Sequence, residues 1–192
     1  MIERTLVLIK PDAVQRALIG EIITRFERSG LKIIGMKMVY PDEKKAGEHY
    51  ADDEEWLRSV GEKTLKSYEA KGLKLGRTAL EQGRLIRKQL MDFLRMSPVV
   101  CLAIEGHNAV AHIRKAVGST APADAAPGTI RGDYAFDSYR LADSSSRPIQ
   151  NLIHASDSAQ NGDREIAIWF KKDELHVWKR VDEDLIYRGL NL

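Results

Sequence analysis

Four short apolar runs, each stopped by turn-forming residues, limit what this chain can fold into. Thr5-Leu6-Val7-Leu8-Ile9 ends at Lys10-Pro11-Asp12, and Leu31 to Val39 alternates before meeting Pro41. Val99 to Ile104 ends at Glu105-Gly106, and Asn151-Leu152-Ile153-His154-Ala155 gives way to Ser156-Asp157-Ser158. Runs of this length with these boundaries predict strands. Between them, apolar residues recur at helical spacing. Ile19, Ile22, Ile23 and Phe26 share one face opposite Glu21, Arg25 and Arg28, and Gly30 closes the helix. Asp42 caps a helix running to about Tyr50. Val110, Ile113, Ala116 and Val117 form another, ended by Gly118; Ile166, Trp169 and Phe170 mark a last one after Ser158. The tail from Asp173 reads as a short helix and an extension to Leu192. The order is β-α-β, helices, then β-α-β-α. It predicts an α/β chain of the α+β sandwich kind, a ferredoxin-like βαββαβ antiparallel sheet with helices on one face.

Two stretches fall outside that pattern. Residues 52–97 open on Asp52-Asp53-Glu54-Glu55 and carry Trp56, Leu57, Val60, Leu65, Tyr68, Leu73 and Leu75. A second helix, about Glu81 to Met96, holds Leu85, Leu90, Phe93 and Leu94. An inserted pair of helices with a link near Gly72 and Gly76 follows. Residues 57–95 hold ten lysines and arginines against four acids, the pattern of a solvated helical face. From about 119 to 150 runs a long loop with Pro122, Pro127-Gly128, Gly132-Asp133 and Ser144-Ser145-Ser146. Loops of that length in compact domains are usually functional. No internal repeat or boundary divides the chain, so residues 1–192 are expected to form one domain.

Composition excludes several classes. Lys+Arg at 30 nearly balance Asp+Glu at 28, so no general electrostatic footprint on nucleic acid is present. No run reaches the roughly 18 apolar residues of a membrane span, and the N-terminal run is too short for a secretion signal. Cys101 is the lone cysteine and sits in an apolar run, which predicts a buried, inert thiol and no intramolecular disulfide. A cytoplasmic protein is expected. The five histidines include no i, i+4 pair, and no CxxC occurs, against a zinc site. GxxxxGK[ST], GxGxxG, HRD, DFG and GxSxG are all missing.

Some polar residues stand at element ends. Lys10 follows a strand and precedes a proline, which suits either a solvated strand end or a fixed ammonium for phosphate. Arg114 lies in a helix beside Lys115. Arg131, between a Pro-Gly turn and Gly132, puts a guanidinium on a rigid loop. His154 ends a strand before small polar residues, where a structural or a catalytic histidine both fit. Helix onset at Ser158 brings backbone N–H groups nearby, a suitable anion site.

Three ordered motifs go further. Lys10-Pro11-Asp12-Ala13-Val14-Gln15-Arg16, Pro127-Gly128-Thr129-Ile130-Arg131-Gly132-Asp133 and Asn151-Leu152-Ile153-His154-Ala155-Ser156-Asp157-Ser158 resemble those of the nucleoside diphosphate kinases. The extra residues in 52–80 and 134–150 resemble archaeal-type members. The resemblance implies transfer of a γ-phosphate from a nucleoside triphosphate to a nucleoside diphosphate, in two steps through a phosphohistidine at His154. It implies that Lys10, Arg114, Thr120 and Arg131 contact phosphate and that Asn151 contacts the sugar hydroxyl. Tyr50 stands beside the pocket, Glu165 orients the histidine, and Ser156 supports Glu165. Mg²⁺ is implied mainly on the phosphates, with Asp157 contacting it through water, and a homohexamer is the implied assembly. A non-catalytic nucleotide- or nucleic-acid-binding module on the same fold is the alternative.

The chemistry suits those residues. A neutral imidazole attacks phosphorus, and a carboxylate on its other nitrogen fixes the tautomer. Lysine, arginines and Mg²⁺ spread over the phosphoryl oxygens stabilise the transition state. The chain also departs from the family pattern. Ala13 and Ala17 replace frequent glycines, and alanine there suits a helical turn. Ser97 and Ala121 replace a common glycine and asparagine. Counting back from Pro98 puts Ile86 where the family's base-stacking phenylalanine is expected. An apolar platform discriminates little, so broad base use is expected.

Overall fold

The computed structural model describes residues 2–70 and 72–189. The sheet is built from β1 (Ile2–Ile9), β2 (Lys32–Val39), β3 (Val99–His107) and β4 (Ile153–Ala155), in the order β2-β3-β1-β4. All three pairings are antiparallel, and the register puts Leu8 opposite both Cys101 and His154. The helices are α1 (Pro11–Gln15), α2 (Ile19–Arg28), α3 (Glu43–His49), α4 (Glu54–Ala70), α5 (Ala79–Leu94), α6 (Ala109–Val117), α7 (Ile130–Tyr134), α8 (Tyr139–Ser144), α9 (Ala159–Trp169) and α10 (Glu183–Ile186). Asp42 caps α3 through the Lys45 N–H, as its position suggests. The final part of the expected extension, through Leu192, lies outside the described residues.

Both faces of the sheet are covered, which corrects the expectation of helices on one face. Val7, Ile9, Leu102 and Ile104 pack with Ile22, Phe26, Ile113 and Ile130 on one side. Leu6, Leu8, Cys101 and Ala103 pack with Ala46, Leu94, Ile166 and Trp169 on the other. The signal was present: Leu6 to Ile9 and Val99 to Ile104 are continuous rather than alternating, and an alternating strand is what one wet face requires. Cys101 is fully buried, and burial pushes its thiol up to about 12.

Helices α4 and α5 pack backbone to backbone. A Cβ at Gly61 would lie 1.8 Å from the Ala79 carbonyl oxygen, and one at Gly83 2.0 Å from that of Leu57. Helix α5 starts two residues earlier than its apolar spacing suggests, because Thr78 and Glu81 form a capping box. It is tied to α3 by Arg87, whose Nε donates to the Tyr50 carbonyl (2.6 Å) and Nη2 to that of Gly47 (3.3 Å).

The stretch 119–150 is not simply a loop. It holds a 3₁₀ turn at Pro122–Asp124 besides α7 and α8, elements too short to show a helical period. Its second half closes on buried Asp137, which accepts from Arg147, Gln150 N and Ser138 N. Those bonds hold the Asp137 carboxyl below its usual range against the effect of burial.

Alanine at position 17 is not in a helical turn. Its φ is +56°, so the glycine expected there would have met a real backbone requirement.

Candidate active site

The ends of β1 and β4 meet at the floor of a cleft of about 1130 Å³. Lys10 follows β1 and is buried by its neighbours. Its Nζ donates to Asn151 Oδ1 at 2.8 Å, and Asn151 Nδ2 donates to the Thr120 carbonyl at 2.8 Å. Asp12 accepts the Leu152 N–H (2.9 Å), which holds Leu152 at φ +68°. Burial, with the positive Arg131 nearby, lowers the Lys10 ammonium to about 8, opposed by Asp12. An anion in the cleft would reverse that trend.

Arg131 is presented by α7, whose first turn Thr129 caps through the Gly132 N–H. Arg25 of α2 holds the same turn by bonds to Asp133, Tyr134 and the Gly128 carbonyl. The Arg131 guanidinium donates to the carbonyls of Asn151 (3.1 Å), Gly118 (3.0 Å), Ser119 (3.2 Å) and Ile153 (2.7 Å). It therefore ties the floor together as well as bordering the cleft. A guanidinium carries five N–H groups, so four carbonyl bonds do not exhaust it. Burial and neighbouring Arg114 lower it to about 10, so it stays charged at neutral pH.

His154 sits on the short strand β4 with 23% of its side chain exposed. Its Nε2 lies 2.8 Å from Glu165 Oε2, which also accepts the Ser156 hydroxyl at 2.6 Å. Ser156 is fully buried and its Oγ accepts the Leu6 N–H (3.2 Å), so β1 fixes it. Glu165 reaches back eleven residues because α9 lies directly on β1. Gly162 allows that approach: a Cβ there would be 2.5 Å from the Arg4 carbonyl oxygen. Burial would raise the Glu165 carboxyl, but bonds from His154 and Ser156 and the nearby Arg164 bring it below its usual value. An ionised carboxylate only accepts, so Nε2 carries a proton, and in the neutral ring the lone pair is on Nδ1.

The remaining expected residues border the same cleft. Arg114, Thr120, Asp157 and Tyr50 line it, as does Ile86 together with apolar Leu85 and Leu90 of α5. Burial and Glu165 push the Tyr50 hydroxyl well up, so it stays protonated. Asp157 accepts from Asn161 (2.6 Å) and Ser158 (3.2 Å), bonds that lower its carboxyl. Sequence reading missed His49, whose ring lies edge-to-face 4.5 Å from that of His154. A histidine at a helix end carries no distinguishing pattern; only the tertiary fold brings it to the site.

A nitrogen of His49, one of His154 and an oxygen of Glu165 lie within 4.8 Å of one another. They do not fit a resident metal. Trp169 Nε1 donates to His49 Nδ1 (3.3 Å), so the His49 proton is on Nε2, and an N–H cannot ligate.

A sequence model described as nucleoside diphosphate kinase matches residues 3–63 and 58–175. The chain belongs to the nucleoside diphosphate kinase family. The nucleoside diphosphate kinase of Pyrobaculum aerophilum is 46% identical, over 91% of this chain and 98% of its own length. That of Pyrococcus furiosus is 42% identical, over 97% and 94%. A crystal structure of an NDP kinase from Pyrobaculum aerophilum covers 92% of this chain and all of its own, with TM-score 0.89 and 43% identity. A nucleoside-diphosphate kinase structure from Borrelia burgdorferi, a transition-state mimic with bound vanadate and ADP, covers 96% of each chain, with TM-score 0.78 and 34% identity. The two matched segments overlap at residues 58–63, inside α4.

Proposed function

We propose that this chain transfers the γ-phosphate of a nucleoside triphosphate to a nucleoside diphosphate, with His154 as the intermediate acceptor. The 2.8 Å contact between His154 Nε2 and an ionised Glu165 carries the reading. It leaves Nδ1 as the nucleophile. The Nδ1 lone pair forms a bond to the γ-phosphorus while the bond to the β–γ bridging oxygen breaks, and the nucleoside diphosphate leaves. Glu165 holds Nε2–H as positive charge develops on the ring, and Ser156 holds Glu165. A second diphosphate then reverses the step, giving ping-pong kinetics.

Lys10, Arg114, Thr120 and Arg131 are assigned to the phosphates, Asn151 to the sugar hydroxyl, and Tyr50 to the pocket wall. All border the cleft. The base is assigned to the apolar surface around Ile86, which supports broad use of purines and pyrimidines. A divalent metal is expected of a nucleotide kinase, and we assign Mg²⁺. One ionised carboxylate at the cleft, Asp157, suits a contact through water, with the phosphates and water supplying the other ligands. Bound there, the metal would neutralise developing charge on the phosphoryl oxygens. We assign a homohexameric assembly. Edge strand β2 exposes Met36 and Met38, and Tyr40 beyond it is also exposed, a surface suited to a second copy. No helix among the described residues is long and apolar enough to cross a membrane. A cytoplasmic location fits the single buried cysteine.

Incubation with γ-labelled ATP and Mg²⁺ tests this. Wild-type protein should take up label that survives alkali, is lost in acid and is discharged into GTP by GDP. His154→Ala should take up none. Nucleotide binding without labelling of the wild type would instead leave a binding module.

A further inference from the structure

His49 is buried, and its Nε2 has no hydrogen-bond partner. A buried N–H without an acceptor costs free energy, so a residue that keeps one beside a reacting group calls for a reason. Its ring meets three others: His154 at 4.5 Å and 86°, Tyr50 at 4.7 Å and 69°, and Trp169 at 5.8 Å and 72°. The first contact is edge-to-face against the imidazole whose rotation decides which nitrogen faces the cleft. A ring turned the other way would place Nε2 in the cleft and lose Glu165.

The charge on His49 matters equally. Trp169 N–H can only donate, so it requires a lone pair on His49 Nδ1 and opposes a second ring proton there. Burial foremost, then His154 whenever its ring is charged, Lys10 and Arg164, favours the same neutral form. Glu165 and the Tyr50 hydroxyl are the acidic groups facing this cluster. Arg87 of α5 is engaged by the Tyr50 and Gly47 carbonyls. A second cation in contact with His154 would oppose the imidazolium that forms as phosphate arrives.

We propose that His49 is a positioning residue for His154: its ring braces the imidazole with Nε2 on Glu165 and Nδ1 toward the cleft, and burial together with the Trp169 donor keeps that brace neutral. The proposal rests on His154 being the phosphate acceptor. It requires an aromatic, uncharged neighbour at position 49 and assigns no contact between His49 and substrate.

The test is the single-turnover rate of labelling by γ-labelled ATP, measured against pH with nucleotide affinity determined separately. His49→Leu removes the brace and should slow labelling about tenfold with affinity unchanged, since small misplacements of a reacting group are costly. His49→Phe should restore the rate. Trp169→Phe leaves the brace but frees Nδ1 to take a proton. The acidic limb of its rate profile should move to higher pH. Combining Trp169→Phe with His49→Phe should return the limb to its original position.

Wild-type labelling rates in His49→Leu, or an unmoved acidic limb in Trp169→Phe, would overturn the role. If His49→Leu does not fold, the Trp169→Phe pair decides alone, because both variants keep a ring at position 49. Failure of the underlying reading looks different. Wild type that takes no label, or His154→Ala that still does, removes His154 as acceptor and the role of His49 with it.

Discussion

The floor of the cleft is assembled from the ends of β1 and β4 and the one-turn helix α7, whereas part of its wall is the α4–α5 pair. On the floor, most buried polar groups satisfy one another: Lys10 bonds Asn151, Asn151 bonds Thr120, and Arg131 gathers four carbonyls, while Asp12 bonds through one oxygen only. Low local polarity makes each bond strong and each missing partner costly, so the geometry there is over-determined. The wall is joined differently, by close backbone packing. It is held by two glycines that let helix backbones touch, with Arg87 and a longer bond from Gln89 to the Ser146 carbonyl at its margins. Chemistry demands the first kind of construction, because phosphate and nucleophile must be placed to a fraction of an ångström. Enclosing a base demands only shape. The wall can therefore change shape without disturbing the floor.

The largest test of that separation is Glu165→Gln. The amide is nearly isosteric, but it can offer an N–H to Nε2 and no longer selects one histidine tautomer. Labelling of His154 is expected to fall by about 10²-fold, within the range for proton-positioning groups. Nucleotide affinity, set by other residues, should stay near wild type, and equilibrium binding beside single-turnover labelling checks both. Gly83→Ala attacks the wall instead. The added methyl meets the Leu57 carbonyl at 2.0 Å, so the helices must part, at a cost of about 1–3 kcal/mol. Thermal unfolding should register that loss. KM for nucleotide should rise while the labelling rate of nucleotide-saturated protein holds. An equal fall in both would mean that wall and floor are coupled.

A third test uses proton linkage on the floor. In the free protein Lys10 titrates at about 8, lowered chiefly by burial, and a bound phosphate must raise it. Binding above that pH therefore takes up a proton. Affinity should weaken as pH rises, reaching about tenfold near pH 9, where only about a tenth of the free protein has the charged lysine. Calorimetry in buffers of different ionisation enthalpy measures the uptake. Lys10→Arg should abolish it, since arginine stays charged throughout. For folding the sign is opposite: the unfolded chain holds the proton more tightly, so stability rises with pH between about 8 and the ordinary lysine value.

The same division governs what was legible in the sequence. Lys10, Arg131 and His154 stand where strands and turns end, so punctuation and motif together located the floor. Glu165 was legible through the motif, but its reach depends on Gly162, whose need for a bare Cα appears only once α9 lies on β1. His49 and Trp169 were not legible, because neither spacing nor composition marks a contact made across α3, β4 and α9. The second covered face of the sheet was written in the unbroken run from Leu6 to Ile9. Helices α7 and α8 were hidden by their length, too few turns to show a period. The wall was legible as two helices and a link, but its close packing through Gly61 and Gly83 was not, since a helical glycine reads first as a weak point.

Two residues outside glycine separate strain that serves the floor from strain that does not. Leu152 and Ala17 both have positive φ, at 68° and 56°. Leu152 is buried in the core, and its N–H bonds Asp12, so removing its side chain would cost more than relieving its backbone. Ala17 is exposed, between α1 and α2, and its side chain contributes little to the core. A left-handed conformation costs an L-residue about 1–2 kcal/mol, and glycine loses about 0.5–1 kcal/mol more in chain entropy on folding than alanine does. Ala17→Gly should therefore stabilise the protein by at most about 1.5 kcal/mol, read as a small rise in Tm with labelling rate and KM unchanged. A fall in Tm would show that entropy outweighs strain at this turn. A change in labelling would show that the α1–α2 turn helps place Lys10 and Asp12, and would extend the floor beyond the strand ends.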